Sequence, residues 1–143
     1  MDISRAALFG KLNPTLFKAI EGATVFCKLR GNPYVELVHW LHQIVNLADS
    51  DIHRIARHFN LNMSALHNDM TGYMATLPNG ASSISDFSHH VTESIERAWV
   101  FSTLYFNSSS IGGAYLLAIL IRTAEYRTVL YGISEEFRKI KVS

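Results

Sequence analysis

The sequence predicts an all-α domain: two pseudo-repeats of a four-helix motif, preceded by one extra N-terminal helix. Three observations carry this. The chain matches itself when shifted by 75 residues. Its apolar residues recur at helical spacing from end to end. Of its 143 residues, 48 % are apolar and 17 % charged, enough to bury a core and too few charges for a solvated tail.

The repeat is clearest where Ile20-Glu21-Gly22-Ala23-Thr24-Val25-Phe26-Cys27-Lys28-Leu29 falls on Ile95-Glu96-Arg97-Ala98-Trp99-Val100-Phe101-Ser102-Thr103-Leu104, with six of ten positions identical. Extending the register to 13–45 against 88–120 adds Asn32, Leu41 and Ile44, and places the capping residues Asn13 and Ser88 together.

Residues 1–12 have no counterpart in the second copy, and their stripe Ile3, Ala7, Leu8 and Leu12 predicts the extra short helix. The first copy, 13–77, opens with Asn13 as a cap and Pro14 at the first helical position, where its missing N–H costs nothing. Leu16, Ile20, Ala23 and Cys27 form one stripe. Phe17, Val25, Phe26 and Leu29 cover much of the rest, which predicts a central, buried helix. Gly31-Asn32-Pro33 stops it. Leu37, Trp40, Leu41, Ile44 and Val45 predict a second helix. Asp49-Ser50-Asp51 starts a third, with Ile52, Ile55, Ala56 and Phe59. Met63, Leu66, Met70, Tyr73 and Leu77 mark a fourth.

Residues 78–87 are small, polar and rich in turn formers, so they read as the connector. The second copy, 88–143, is capped by Ser88 and carries Val91, Ile95, Ala98, Ser102 and Tyr105 on one face. Asn107 to Ser110 breaks the chain before a helix over Tyr115 to Ile121. A short helix from Arg127 to Tyr131 is expected to stop at Gly132. Ser134, followed by Glu135 and Glu136, begins a last helix that turns basic at Arg138, Lys139 and Lys141, the charge order that suits a helix dipole.

Chemistry is conspicuous by what is missing. A net charge of +1 gives no basic footprint for nucleic acid or for an anionic membrane. The longest apolar run, Ile111 to Ile121, is too short to span a bilayer, and the opening Met-Asp-Ile-Ser-Arg is no signal peptide. The single cysteine, Cys27, forms no internal disulfide, so a reducing, cytoplasmic setting is expected. A phosphate loop needs Gly-x-x-x-x-Gly-Lys-Ser/Thr, but around Gly10-Lys11 stand Arg5 and Leu12 in place of the glycine and the hydroxyl. No catalytic residue, metal or cofactor is therefore expected in this chain.

Glu36-x-x-His39-x-x-His42 is the sharpest metal candidate, because that spacing approaches one helical face. A second ligand-bearing helix is required, and the repeat puts Ala114 and Leu117 where the histidines stand. These histidines read as ordinary surface or half-buried ones. Cys27 lies on the buried stripe, with Ser102 as its repeat mate, and reads as structural. Asp49 and Asp51 read as caps, and His89-His90 as solvent-facing. What remains is apolar surface, since a helix laid beside a core leaves a groove that accepts a partner helix.

Leu8-Phe9-Gly10-Lys11-Leu12-Asn13-Pro14, the run Ala23 through Leu41 and Ser83-Ile84-Ser85-Asp86-Phe87-Ser88 carry a family resemblance. Together with the tandem copies, they resemble the Clp N-terminal domain of AAA+ unfoldases, in its type VI secretion branch, ClpV. The second copy departs from the family with Ala114-Tyr115-Leu116-Leu117, where Clp repeats usually place a histidine before the leucines. The resemblance implies a recognition domain without chemistry of its own, with ATPase modules after Ser143 and a hexameric full-length protein around a monomeric N-domain. It implies as partner the N-terminal helix of the larger sheath subunit, exposed after contraction, so that the ring can thread and disassemble the sheath. No nucleic-acid or membrane partner is expected. The peptide-binding residues it suggests are Leu8, Leu12, Leu16 and Ile20 on one side and Phe87 and Val91 on the other, positions 16 and 91 being repeat mates. Burial of about 400 Å² per side at roughly 25 cal/mol/Å² gives several kcal/mol before ordering costs, consistent with micromolar affinity. A general substrate or adaptor site is the alternative; a small metal-binding protein built on Glu36, His39 and His42 is a more distant one.

Overall fold

The register that aligns the sequence also aligns the helices. A computed structural model describes residues 4–48 and 50–142. In the first copy, α2 (Pro14–Arg30), α3 (Leu37–Asn46), α4 (Asp51–His58) and α5 (Met63–Ala75) follow the short α1 (Arg5–Phe9). In the second, α6 (His89–Phe106), α7 (Gly113–Arg122) and α8 (Ala124–Ile133) precede a 3₁₀ turn, Glu135–Lys139. No helix among the described residues is long and apolar enough to cross a membrane.

Local chemistry explains the ends of the long helices. Asn13 Oδ1 accepts the Leu16 N–H at 2.9 Å, and Ser88 Oγ accepts that of His90 at 3.2 Å. At the far end of α2, Gly31 takes φ 71°, the left-handed conformation that glycine adopts without a Cβ penalty. Its repeat mate is Phe106, for which that conformation is costly, so α6 runs one residue longer and turns at Asn107, φ 49°.

Several expectations need correction. Helix α2 is buried on one face only: Leu16, Ala19, Ile20, Ala23 and Cys27 are inside, while Phe17, Val25 and Leu29 are exposed. Tyr105 is likewise exposed, since α6 leaves the core after Ser102. Helix α8 passes through Gly132 and ends one residue later, at Ile133, which is buried. The last helix is a 3₁₀ turn, because Phe137 and Ile140, both buried, are three residues apart, the spacing that this geometry stacks on one side. Leu77 and Leu12 fall outside α5 and α1. The expectations for Ile3 and Asp49 fall outside the described residues.

Backbone stitches tie the copies together. β1 (Tyr34–Val35) and β2 (Asp86–Phe87) pair in parallel, Val35 opposite Phe87. Leu12 bridges Ile111, where Asn13 N–H reaches Ile111 O at 2.8 Å and Ile111 N–H reaches Lys11 O at 2.7 Å. Leu12 and Phe87 are repeat mates, so the lead-in to each long helix pairs with the loop that follows the long helix of the other copy. This is a pseudo-twofold arrangement. Trp40 is fully buried at the centre and donates its indole N–H to Leu16 O at 3.1 Å.

Candidate protein-binding site

Helix α1 is five residues long, too short to be stable alone. Ser4 Oγ caps it by accepting the Ala7 N–H at 3.1 Å. It packs on α6 and is held to the end of the connector by side-chain contacts. Arg5 Nη1 pairs with Asp86 Oδ1 at 2.6 Å, and the same guanidinium lies 5.6 Å from the centre of the Phe87 ring. Phe9 meets Phe87 edge-on, 5.1 Å between centroids and 88° between planes. Leu8 is buried beneath. Bonds from Arg5 and from the Phe87 N–H keep the Asp86 carboxyl below the usual carboxylate range. Lys11 extends the seam, its ammonium 4.7 Å from the Trp99 ring.

The six residues expected to bind a peptide are brought together, and five of them are core. Leu8, Leu12, Leu16, Ile20 and Val91 belong to one buried cluster, with half-buried Phe87 packed against it. Leu16 and Val91 are 0 % exposed, so no ligand reaches their side chains in this state. The reason is geometric: Leu16, Ile20 and Val91 sit on the inward stripes of α2 and α6, and only α1 and the Phe87 rim face outward. Around this seam Phe9, Phe87 and, under Lys11, Trp99 are partly accessible aromatic residues.

The Glu36, His39 and His42 constellation is not laid out for a metal. His39 is fully buried, against the surface or half-buried reading of its sequence. Its Nδ1 accepts the Glu36 N–H at 2.9 Å, so its Nε2 is the donor to Asn32 Oδ1 at 3.0 Å. Asn32 Nδ2 in turn donates to Pro78 O at 2.8 Å, which pins the start of the connector. Burial above all, then Arg30 and His42, pushes the His39 pKa down to about 4. His42 is buried as well and stacks between Phe26 and His67, each 5.3 Å away. Cys27 Sγ lies 3.3 Å from Asn32 O and 3.2 Å from Tyr34 O, and burial followed by the Glu36 charge raises its thiol pKa to about 11. It is an inert structural thiol, as its sequence position implied.

A second apolar surface escaped the sequence reading. A groove of about 420 Å³ runs between α4, the end of α6, α7 and the C-terminal residues, lined by Phe59, Phe101, Tyr105, Phe106 and Tyr115 among others. Phe106 stacks on Tyr115 at 5.0 Å, and Arg122 covers Phe101 at 5.4 Å. The available signal was the aromatic cluster Phe101, Tyr105 and Phe106 just ahead of the polar break at Asn107.

No family model matches the chain. It is 52 % identical over 141 residues to the AAA+ ATPase ClpV1 of Pseudomonas aeruginosa, an overlap of 99 % of this chain and 16 % of that protein. It is 47 % identical over 140 residues to the chaperone protein ClpB of Yersinia enterocolitica, covering 98 % of this chain and 16 % of that one. The chain thus spans 16 % of the length of either relative. Among solved structures, one described with the coevolution of the ATPase ClpV, the TssB-TssC sheath and the accessory HsiE protein superposes with a TM-score of 0.94 at 52 % identity, over 98 % of this chain and 86 % of that one. The N-domain of ClpV from Vibrio cholerae gives 0.78 at 21 % identity, over 97 % and 87 %. A ClpV N-domain in complex with a VipB peptide gives 0.76 at 21 % identity, over 97 % and 89 %. At that identity the last two share the fold.

Proposed function

The chain belongs to the N-terminal domain family of ClpV ATPases, and from that premise we propose that it recognises the N-terminal helix of the larger type VI sheath subunit. The domain delivers the contracted sheath to an ATPase ring for threading and disassembly, in the cytoplasm. The observation that carries this reading is the seam between α1 and the start of α6. There a short, weakly held helix covers apolar side chains beside half-buried Phe87. The peptide-bound ClpV N-domain of the same fold supports it.

Docking works by exchange. The Arg5–Asp86 pair is exposed and contributes at most about 1 kcal/mol, and the Phe9–Phe87 edge contact adds roughly 0.5–1.5 kcal/mol. A partner helix that tilts α1 off Phe87 replaces these contacts and gains the apolar area of Leu8, Leu12 and Phe87. Leu16, Ile20 and Val91 form the wall behind. A labelled N-terminal peptide of the larger sheath subunit should bind with micromolar affinity. Phe87→Arg and Phe9→Ser should each weaken binding at least tenfold while the helical spectrum stays intact. Unchanged affinity in both variants overturns this site.

The aromatic groove favours one other reading, a general site for unfolded apolar segments. In that case Tyr105→Ser and Phe106→Ser abolish capture of an unrelated unfolded protein, and the sheath peptide has no advantage over it.

A further inference from the structure

We propose that His89, His90 and Glu125 form a binding site for one divalent ion of the zinc class. His89 and His90 occupy the first turn of α6, and Glu125 the first turn of α8. Both imidazole Nε2 atoms converge on one carboxylate oxygen, Glu125 Oε1, at 3.2 Å from His89 and 2.8 Å from His90. All three ligand atoms lie within 4.8 Å of one another. Tetrahedral zinc, with bonds near 2.0–2.1 Å, spaces its nitrogen and oxygen ligands by roughly 3.3 Å, so the His89 contact already matches and the His90 contact has to open by about half an ångström.

Two imidazoles at adjacent helical positions ordinarily point about 100° apart. Here the first turn lets both rings swing to one side, 4.3 Å between centroids. His90 is steadied by the Tyr126 ring, edge-on at 5.8 Å. Metal is ligated by the neutral form of an imidazole, so binding displaces a proton wherever a ring carries two. Glu125 supplies the anionic oxygen ligand. On binding, each ring keeps one proton, at Nδ1, and presents the Nε2 lone pair. Side-chain exposures of 70 % for His89, 22 % for His90 and 51 % for Glu125 leave an entry path and room for water as the fourth ligand. Softer and more strongly bound ions, copper above all, compete by the usual order of divalent affinities.

The occupied site clamps α6 to α8 two residues after Phe87. Untagged protein titrated with Zn²⁺ by calorimetry should bind one equivalent at micromolar affinity, and its thermal midpoint should rise with zinc. Glu125→Gln, at an exposed position, and His90→Ala, at a partly buried one, should retain the helical spectrum, lose at least tenfold in affinity and lose the thermal shift. Histidine-ring nitrogen spectra should show His89 and His90 as the shifted residues. No heat at millimolar zinc, or binding unchanged in the triple variant His89→Ala, His90→Ala, Glu125→Gln, overturns the proposal.

Discussion

The ends of the two long helices begin from the same sequence register and finish as different structures. In the first copy, Asn32 is buried and joins His39 to the connector through Pro78 O. In the second, its mate Asn107 is exposed, and its work is the left-handed turn itself. Ala114, the mate of His39, is exposed too, so no polar lock forms. Trp40 is sealed in the core, whereas its mate Tyr115 is half-buried and stacks on Phe106. The two copies thus share their helices and differ in what those helices hold. The first copy is a tightly bonded anchor, while the second carries accessible aromatic surface.

The sharpest way to break this contrast is at the paired aromatic positions. Trp40→Ala should cost about 3–5 kcal/mol, the range for a buried Trp truncation, whereas Tyr115→Ala should cost about 1 kcal/mol. Urea midpoints of the two variants check it, and equal losses would erase the division between the copies.

Acid should expose the lock next. A histidine in the unfolded chain titrates near 6.5, while His39 in the fold is held at about 4. Between those values the unfolded state carries the extra proton. Stability is therefore complete above about pH 6.5 and declines as pH falls towards 4, by roughly 3 kcal/mol from a shift of this size. His42, lowered first by burial and then by His67 and Arg30, adds to the slope. Its mate Leu117 and that of His39, Ala114, do not titrate. Denaturation curves between pH 7.5 and 4.5 should flatten in His39→Gln.

The smallest test concerns the asparagines. Asn32→Ala leaves His39 Nε2 and Pro78 O without partners and should cost about 1–3 kcal/mol. Asn107→Gly should stay within about 0.5 kcal/mol, since glycine accepts that backbone. Thermal midpoints separate the two.

The fold was legible because repeat register and helical stripes report the same thing. Asn13, Pro14 and Ser88 start helices where their chemistry says they should. Burial was less legible. Val25, Leu29, Val100 and Leu104 are identical across the copies and apolar, yet all four are exposed, with Leu29 at 81 % and Leu104 at 75 %. Composition measures how much apolar surface exists and is silent on which face a neighbour covers. The six expected residues were legible as neighbours and misjudged as surface: Leu16 and Val91 lie at the seam but point inward. The buried His39 was missed for another reason. Its partners Asn32 and Pro78 are set by loop geometry that no periodicity encodes.

The cross-copy stitches carry a kinetic consequence. Leu12 meets Ile111 about two-thirds of the chain away, and Val35 meets Phe87 across α3, α4, α5 and the connector. Such contacts close large loops and form only after most chain entropy has been spent. The first segment therefore finds its permanent seat only once the ribosome has released the loop beyond α6.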